Sequence, residues 1–160
     1  MPATLLALLD HLRWADVRAR ESLQSLPATS PRTEAARALY AHVAAAEHVW
    51  LARLQGRAPE HPVWPQLSLG EAATLAAETA DALRAHVDAL DPDALDEPVA
   101  YRTTTGEPHR STVREIVAHV ALHGSYHRGQ IALMVREGGG TPLPTDFILW
   151  ARGASIRRDA

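Results

Sequence analysis

The chain has 160 residues, a formal net charge of −3 and no cysteine. That length suits one domain able to bury a core unaided, and the missing thiols exclude a disulfide framework, a thiolate metal site and a cysteine nucleophile. Charges of both signs are interspersed, with no basic block to neutralise phosphates, which argues against nucleic acid as a partner.

Hydrophobic residues make up 46% of the chain but aromatic ones only 5%. Ala and Leu dominate, and both lose little side-chain freedom in a helix, so an all-α protein is expected. The first nine residues lack the charged start and cleavage site of a signal peptide, and no apolar run approaches the roughly 20 residues of a membrane span. A soluble, cytoplasmic protein is expected.

Leu5, Leu9, Leu12, Ala15 and Leu23 recur at helical spacing and predict a first helix over residues 3–26, closed by Pro27. Trp14 reads as a packing residue on it. His11 stands alone and reads as a surface or capping side chain. A second helix opens near Pro31 or Thr33 and runs to about Gln55, before Gly56. Leu39, Ala46, Trp50 and Leu54 fall on the same side as His42, so His42 faces a core. His48 points about 240° away from His42, toward solvent or a subunit contact.

Residues 56–67 hold Pro59, Pro62, Pro65, His61 and Trp64, which forbid regular helix. This stretch reads as a long crossing connection that either covers one end of a site or runs over the surface. Its length allows the second and third helices to run in the same direction. Ser68 and Glu71 form a capping box for the third helix, which carries Leu75, Leu83, Val87 and Leu90 and stops at Asp91 and Pro92. His86 is isolated and suggests no function. Over residues 91–110, Val99 and Tyr101 alternate with other residues before a turn signal from Thr103 to Gly106, which fits a short hairpin or an extended loop.

The main helix covers residues 113–136, between a Thr112/Glu115 capping box and the glycines 138–140. His119, His123 and His127 recur on it every four residues. Side chains four apart stack on one helix face, so two such imidazoles can grip one ion. Ile116, Val120, Ile131 and Met134 share a half of the wheel with His123 and His127, and His119 sits at its margin. A lone histidine on an apolar face is more often a packed core residue than a ligand. Several buried rings without partners, however, would cost on the order of 1 to 3 kcal/mol each, which a shared cation removes. Ala118, Ser125, Gly129 and Ala132 line another face and permit close approach of a further helix, in the bundle or from a partner. After Pro142 and Pro144, residues 146–152 predict a short final helix docked through Phe147, Ile148 and Trp150, and residues 156–160 read as frayed.

Long amphipathic helices with an inward His42 facing the His123/His127 pair form the arrangement by which bundles build metal sites. Residues 12–16 (LRWAD), 42–54 (HVAAAEHVWLARL), 119–130 (HVALHGSYHRGQ) and 146–152 (DFILWAR) together resemble the DinB-like (DinB/YfiT) superfamily of metal-dependent proteins over nearly the full chain. The resemblance implies a single four-helix-bundle domain, up-down-down-up, with long crossing loops and a short C-terminal helix. It also implies a homodimer holding a divalent metal ion such as zinc, nickel or iron. The family's metal triad matches His42, His123 and His127, and Arg128, Gly129 and Gln130 match the tail of its HRGQ signature. His119 matches a frequent family position that is not normally a ligand, so it reads as a neighbour of the ligands that does not touch the ion, with a fourth-ligand role as the alternative. The family name implies no polymerase activity, and the chain carries no polymerase motif.

Three neutral imidazoles leave a divalent ion its full charge and an open position, the pattern of a catalytic rather than a closed site. Nitrogen-only ligation suits zinc, nickel, copper or iron alike. The resemblance implies a link to enzymes that use low-molecular-weight thiols, and the lack of cysteine is compatible with such a thiol as cosubstrate. The leading expectation is therefore a metal-dependent transferase that adds a small thiol to an electrophilic small-molecule substrate. The alternatives are a metal-dependent hydrolase and a non-catalytic metal-binding stress-response protein. Asp16 and Glu47 are candidates to accept a hydrogen bond from the outer nitrogen of a metal-binding histidine. Arg128, away from the core on the wheel, reads as a surface ion pair. No residue stands out as a dedicated general base.

Overall fold

The computed structural model describes residues 2–158 and contains four long helices, α1 (Pro2–Gln24), α2 (Thr33–Leu54), α3 (Leu69–Asp88) and α4 (Val113–Glu137). A short helix, α5 (Phe147–Arg158), follows them. Between α3 and α4 a 3-10 turn, Pro92–Asp96, leads into a hairpin of β1 (Pro98–Arg102) and β2 (Pro108–Thr112). The strands pair antiparallel, with Ala100 opposite Arg110.

Both expected capping boxes form. Ser68 Oγ accepts the Glu71 amide while Glu71 accepts the Ser68 amide, and Thr112 and Glu115 do the same at the start of α4. Each box satisfies two amides that the first helical turn leaves free. At the other end of α4, Gly139 takes a left-handed φ of 85°, which a glycine adopts without a side-chain penalty.

Two apolar clusters set the helix directions. Leu5, Leu9 and Leu12 of α1 pack with Val113, Ile116, Val117 and Val120 at the start of α4, and with Leu51, Ala80, Leu83 and Val87 at the ends of α2 and α3. The second cluster joins Ala19 and Leu23 of α1 to Ile131 and Val135 of α4, and to Ala36, Leu39, Tyr40 and Ala72 near the starts of α2 and α3. Helices α1 and α4 therefore run one way and α2 and α3 the other, in the up-down-down-up order. The Arg13–Asp81 and Arg84–Asp10 ion pairs agree with antiparallel α1 and α3. The connection over residues 55–68 has to be long because α2 and α3 are parallel and it runs from the end of one to the far end of the next.

Among the described residues no helix is long and apolar enough to cross a membrane.

Several details differ from expectation. His11 is buried rather than superficial, with its Nε2 2.9 Å from the Thr145 carbonyl oxygen and its ring edge-on to Phe147 and Trp150. It pins the segment after α4 onto α1. Phe147 and Trp150 make that docking contact, whereas Ile148 is 54% exposed. The backbone of α5 continues helical to Arg158 instead of ending near 152, so of residues 156–160, expected to fray, the first three are helical and the last two lie outside the described residues.

Candidate metal centre

The helical spacing of α4 and the inward turn of α2 bring His42, His123 and His127 together. One ring nitrogen from each lies within 4.8 Å of the others, and no other such group of metal-ligating side chains occurs among the described residues. His123 Nε2 and His127 Nε2 are 3.1 Å apart. Two nitrogens bound tetrahedrally at about 2.0 to 2.1 Å from zinc would sit roughly 3.3 Å apart, so the His123–His127 pair is already spaced to share an ion.

The neighbours of two rings select their tautomers. Nδ1 of His42 donates to the Val63 carbonyl oxygen at 2.9 Å, and Nδ1 of His127 donates to Gln130 Oε1 at 2.7 Å. Both arrangements leave Nε2 as the lone-pair donor, the role that outer partners give to metal-bound imidazoles. Val63 and Gln130 fill the positions for which Asp16 and Glu47 were candidates. Residues of one sequence motif thus supply both a ligand and its orienting amide.

Burial favours the neutral form of His42 and His123. The pKa of His123 falls to about 4, chiefly through loss of solvent and then through neighbouring His127, His42, His119 and Arg128. His42 is lowered by burial too, against the opposing pull of its bond to Val63. Neutral imidazole is the form that binds a metal. These donors, their tautomers and their charge state fit a divalent ion.

The connection between α2 and α3 covers one side of the site. Trp64 stacks on His42 with ring centroids 3.9 Å apart and planes 14° apart, although the indole is 61% exposed. His48 is buried and accepts the Glu60 amide through Nε2 at 3.1 Å. The expectation that His48 faces solvent or a subunit is therefore corrected: the loop folds back over it and is tied down there. Nothing in the local sequence distinguishes Trp64 from a loop aromatic; only the return of the chain places it on His42. His119 stands outside the triad, with its ring 5.6 Å from His123 and 5.0 Å from Trp50.

Arg128 departs furthest from its expected place. It is 2% exposed and its Nη1 donates to Asp16 Oδ1 at 2.8 Å in the middle of the bundle. Glu47 lies in the same layer, where burial and then the Asp16 charge push its carboxyl well above the usual range. We therefore read Glu47 as the neutral member and Asp16 as the charged one, because Asp16 alone touches the guanidinium. Burial raises Asp16 as well, opposed by Arg128. A helical wheel misplaces Arg128 because its guanidinium folds back along α4 over Gly124, where an added Cβ would lie 2.7 Å from Nη1. Gly124→Ala is accordingly expected to cost about 1 to 3 kcal/mol by overpacking, even though alanine favours a helix over glycine by about 1 kcal/mol. Urea denaturation of the variant checks this, and a gain in stability would refute the proposed contact.

A cavity of ≈ 270 Å³ opens on the triad, lined by His42, His123, Trp50, Arg53, Val63 and Tyr101 among others. The hairpin supplies Tyr101, which meets Trp50 edge-on at 5.1 Å. The site thus has an exposed approach between α2, the loop and the hairpin.

A four-helix bundle carrying three convergent histidines defines a class of protein able to bind a metal ion. The chain belongs to the DinB family, whose model matches residues 1–159. It is also similar to Protein DinB of Bacillus subtilis (strain 168), with 36% identity over 58 residues. That match covers 36% of this chain and 34% of the relative, so it spans only about a third of the length of each.

Proposed function

We propose that this protein binds one divalent metal ion through His42, His123 and His127 and uses it to transfer or add a low-molecular-weight thiol to an electrophile. The observation that supports this most is the convergence of three imidazole rings, two of them with Nδ1 engaged, beside a cavity that reaches His42 and His123. A closed structural site would have a fourth protein ligand in place of that approach. Zinc, nickel and iron are all compatible with the donors.

A bound ion would lower the pKa of a thiol or water at its open position and polarise an electrophile. The chain's own part is positional. Val63 and Gln130 hold two imidazoles in the coordinating tautomer, and Trp64 shields the outer face of His42 from solvent. Trp50 and Tyr101 form an apolar wall along the approach. The thiol comes from outside, since the chain has no cysteine.

Elemental mass spectrometry of untagged protein tests the metal reading. Wild type and His86→Ala are expected to carry about one ion per chain, and His123→Ala to carry almost none, because two remaining imidazoles rarely retain an ion. Absence of metal in wild type, with none acquired from added zinc or nickel, would remove this reading.

We further propose a homodimer built on the outer face of α4. Leu122, Tyr126 and Leu133 are 70%, 66% and 51% exposed there, beside exposed Ser125 and Gly129 that offer little bulk against an approaching helix. Exposed apolar surface of this kind marks interaction sites. Sedimentation is expected to show a dimer for wild type and a monomer for Leu122→Lys/Tyr126→Lys; a monomeric wild type would refute it.

A further inference from the structure

We propose that the cavity beside the triad recognises an anionic small molecule, with Arg53 binding a carboxylate at one end while the other end reaches the metal position. This rests on the metal reading above and names the chemical class of ligand that the site takes.

The face of α2 that carries His42 continues through Ala46, Val49 and Trp50 to Arg53, all of which line the same cavity. Steps of three and four residues keep side chains on one helix face, so this row leads directly from the triad to a guanidinium. Arg53 lies over the Trp50 ring at 4.3 Å and the Tyr101 ring at 4.9 Å, and its Nη2 donates to the Arg102 carbonyl oxygen at 2.9 Å. These contacts fix the group in place without neutralising it.

Among the described residues Arg53 forms no ion pair with a carboxylate. Arg13, Arg32, Arg57, Arg84, Arg114 and Arg128 each do. Burial lowers the Arg53 pKa, as expected for a cation withdrawn from water without a counter-ion. An adjoining cavity of ≈ 450 Å³ shares Arg53, Tyr101, Thr103 and Thr104 and adds Arg102, together with Arg57, whose charge is met by Glu60. The protein as a whole is acidic, with a net charge of −3, so this local excess of positive charge is not a general property of its surface.

Geometry also sets the size of the ligand. Trp50, over which the guanidinium lies, is eight residues beyond His42, roughly 12 Å along the helix axis. A two-carbon acid is too short for that span. A chain of about six carbons is suitable, with the aromatic pair against its methylenes.

The test uses cobalt-loaded full-length protein, in which sulfur ligation gives a near-ultraviolet charge-transfer band. The probes are 6-mercaptohexanoate and the equally long, uncharged 6-mercaptohexan-1-ol. The acid is expected to bind about tenfold more tightly, as one partly exposed charge-assisted hydrogen bond allows. Arg53→Gln should abolish that preference while leaving cobalt uptake and alcohol affinity unchanged, and Arg53→Lys should retain part of it. Equal affinity of wild type for the two probes, or a preference that survives in Arg53→Gln, would overturn the inference with the metal site intact. Failure to take up cobalt at all would overturn both readings.

Discussion

Substituting Arg128 with leucine is expected to remove about 3 to 5 kcal/mol of folding free energy, the usual penalty for stripping one partner from a buried ion pair. Arg128 and Asp16 have side chains 1% and 4% exposed, so solvent cannot replace the missing charge. Asp16 would then either remain ionised in an apolar layer or take up a proton, and both outcomes disfavour the fold. Urea denaturation at pH 7 measures the loss. A change below about 1 kcal/mol, typical of exposed pairs, would show that the guanidinium is not buried as described.

Glu47→Gln should behave in the opposite way. Folding raises the Glu47 pKa above its ordinary 4.5, so the folded chain holds a proton that the unfolded chain releases. Its contribution is fully present below the unfolded pKa and is lost as pH rises toward the folded one. Glutamine keeps the neutral shape without that proton, so the variant should match or exceed wild type at pH 7 and gain nothing near pH 4. Strong destabilisation at pH 7 would assign the charge to Glu47 instead.

The second large effect concerns metal. An ion that binds only the folded chain at a thousand times its Kd stabilises by about 4 kcal/mol, which for a chain of this size shifts Tm by roughly 8 to 16 °C. Zinc or nickel should therefore raise the melting temperature of wild type and of His86→Ala, but not of His123→Ala. Metal-free wild type should weaken as pH falls from about 6.5 toward 4, since the unfolded chain protonates at His123 before the folded one does. A metal-induced shift that persists in His123→Ala would place the ion elsewhere.

Much of the fold was legible because its signals are local. The Ser68/Glu71 and Thr112/Glu115 boxes act within one helical turn, and the spacing of Leu5, Leu9 and Leu12 or of Ile116 and Val120 reports which face is buried. The four-residue interval between His123 and His127 likewise determines that their side chains share one helix face, where the rings meet edge-on at 4.4 Å. The inward direction of His42 followed from its apolar neighbours on α2.

The tertiary structure decided what lay beyond a single helix. His11, His48 and Arg128 each looked superficial on its own element, and each is buried by a distant one: by residues 145–150, by the loop around Glu60, and by Asp16 across the bundle. Trp64 and Val63 join the site only because that loop returns over α2. A wheel describes where a Cβ leaves its helix. It does not describe where a long guanidinium ends, nor what a connection of a dozen residues covers, because both depend on contacts between residues far apart in the chain. The sequence by itself therefore determined the helices, their caps and the placing of His123 and His127 on one face of α4. Tertiary packing decided which polar groups are buried together and from which side the histidines can be reached.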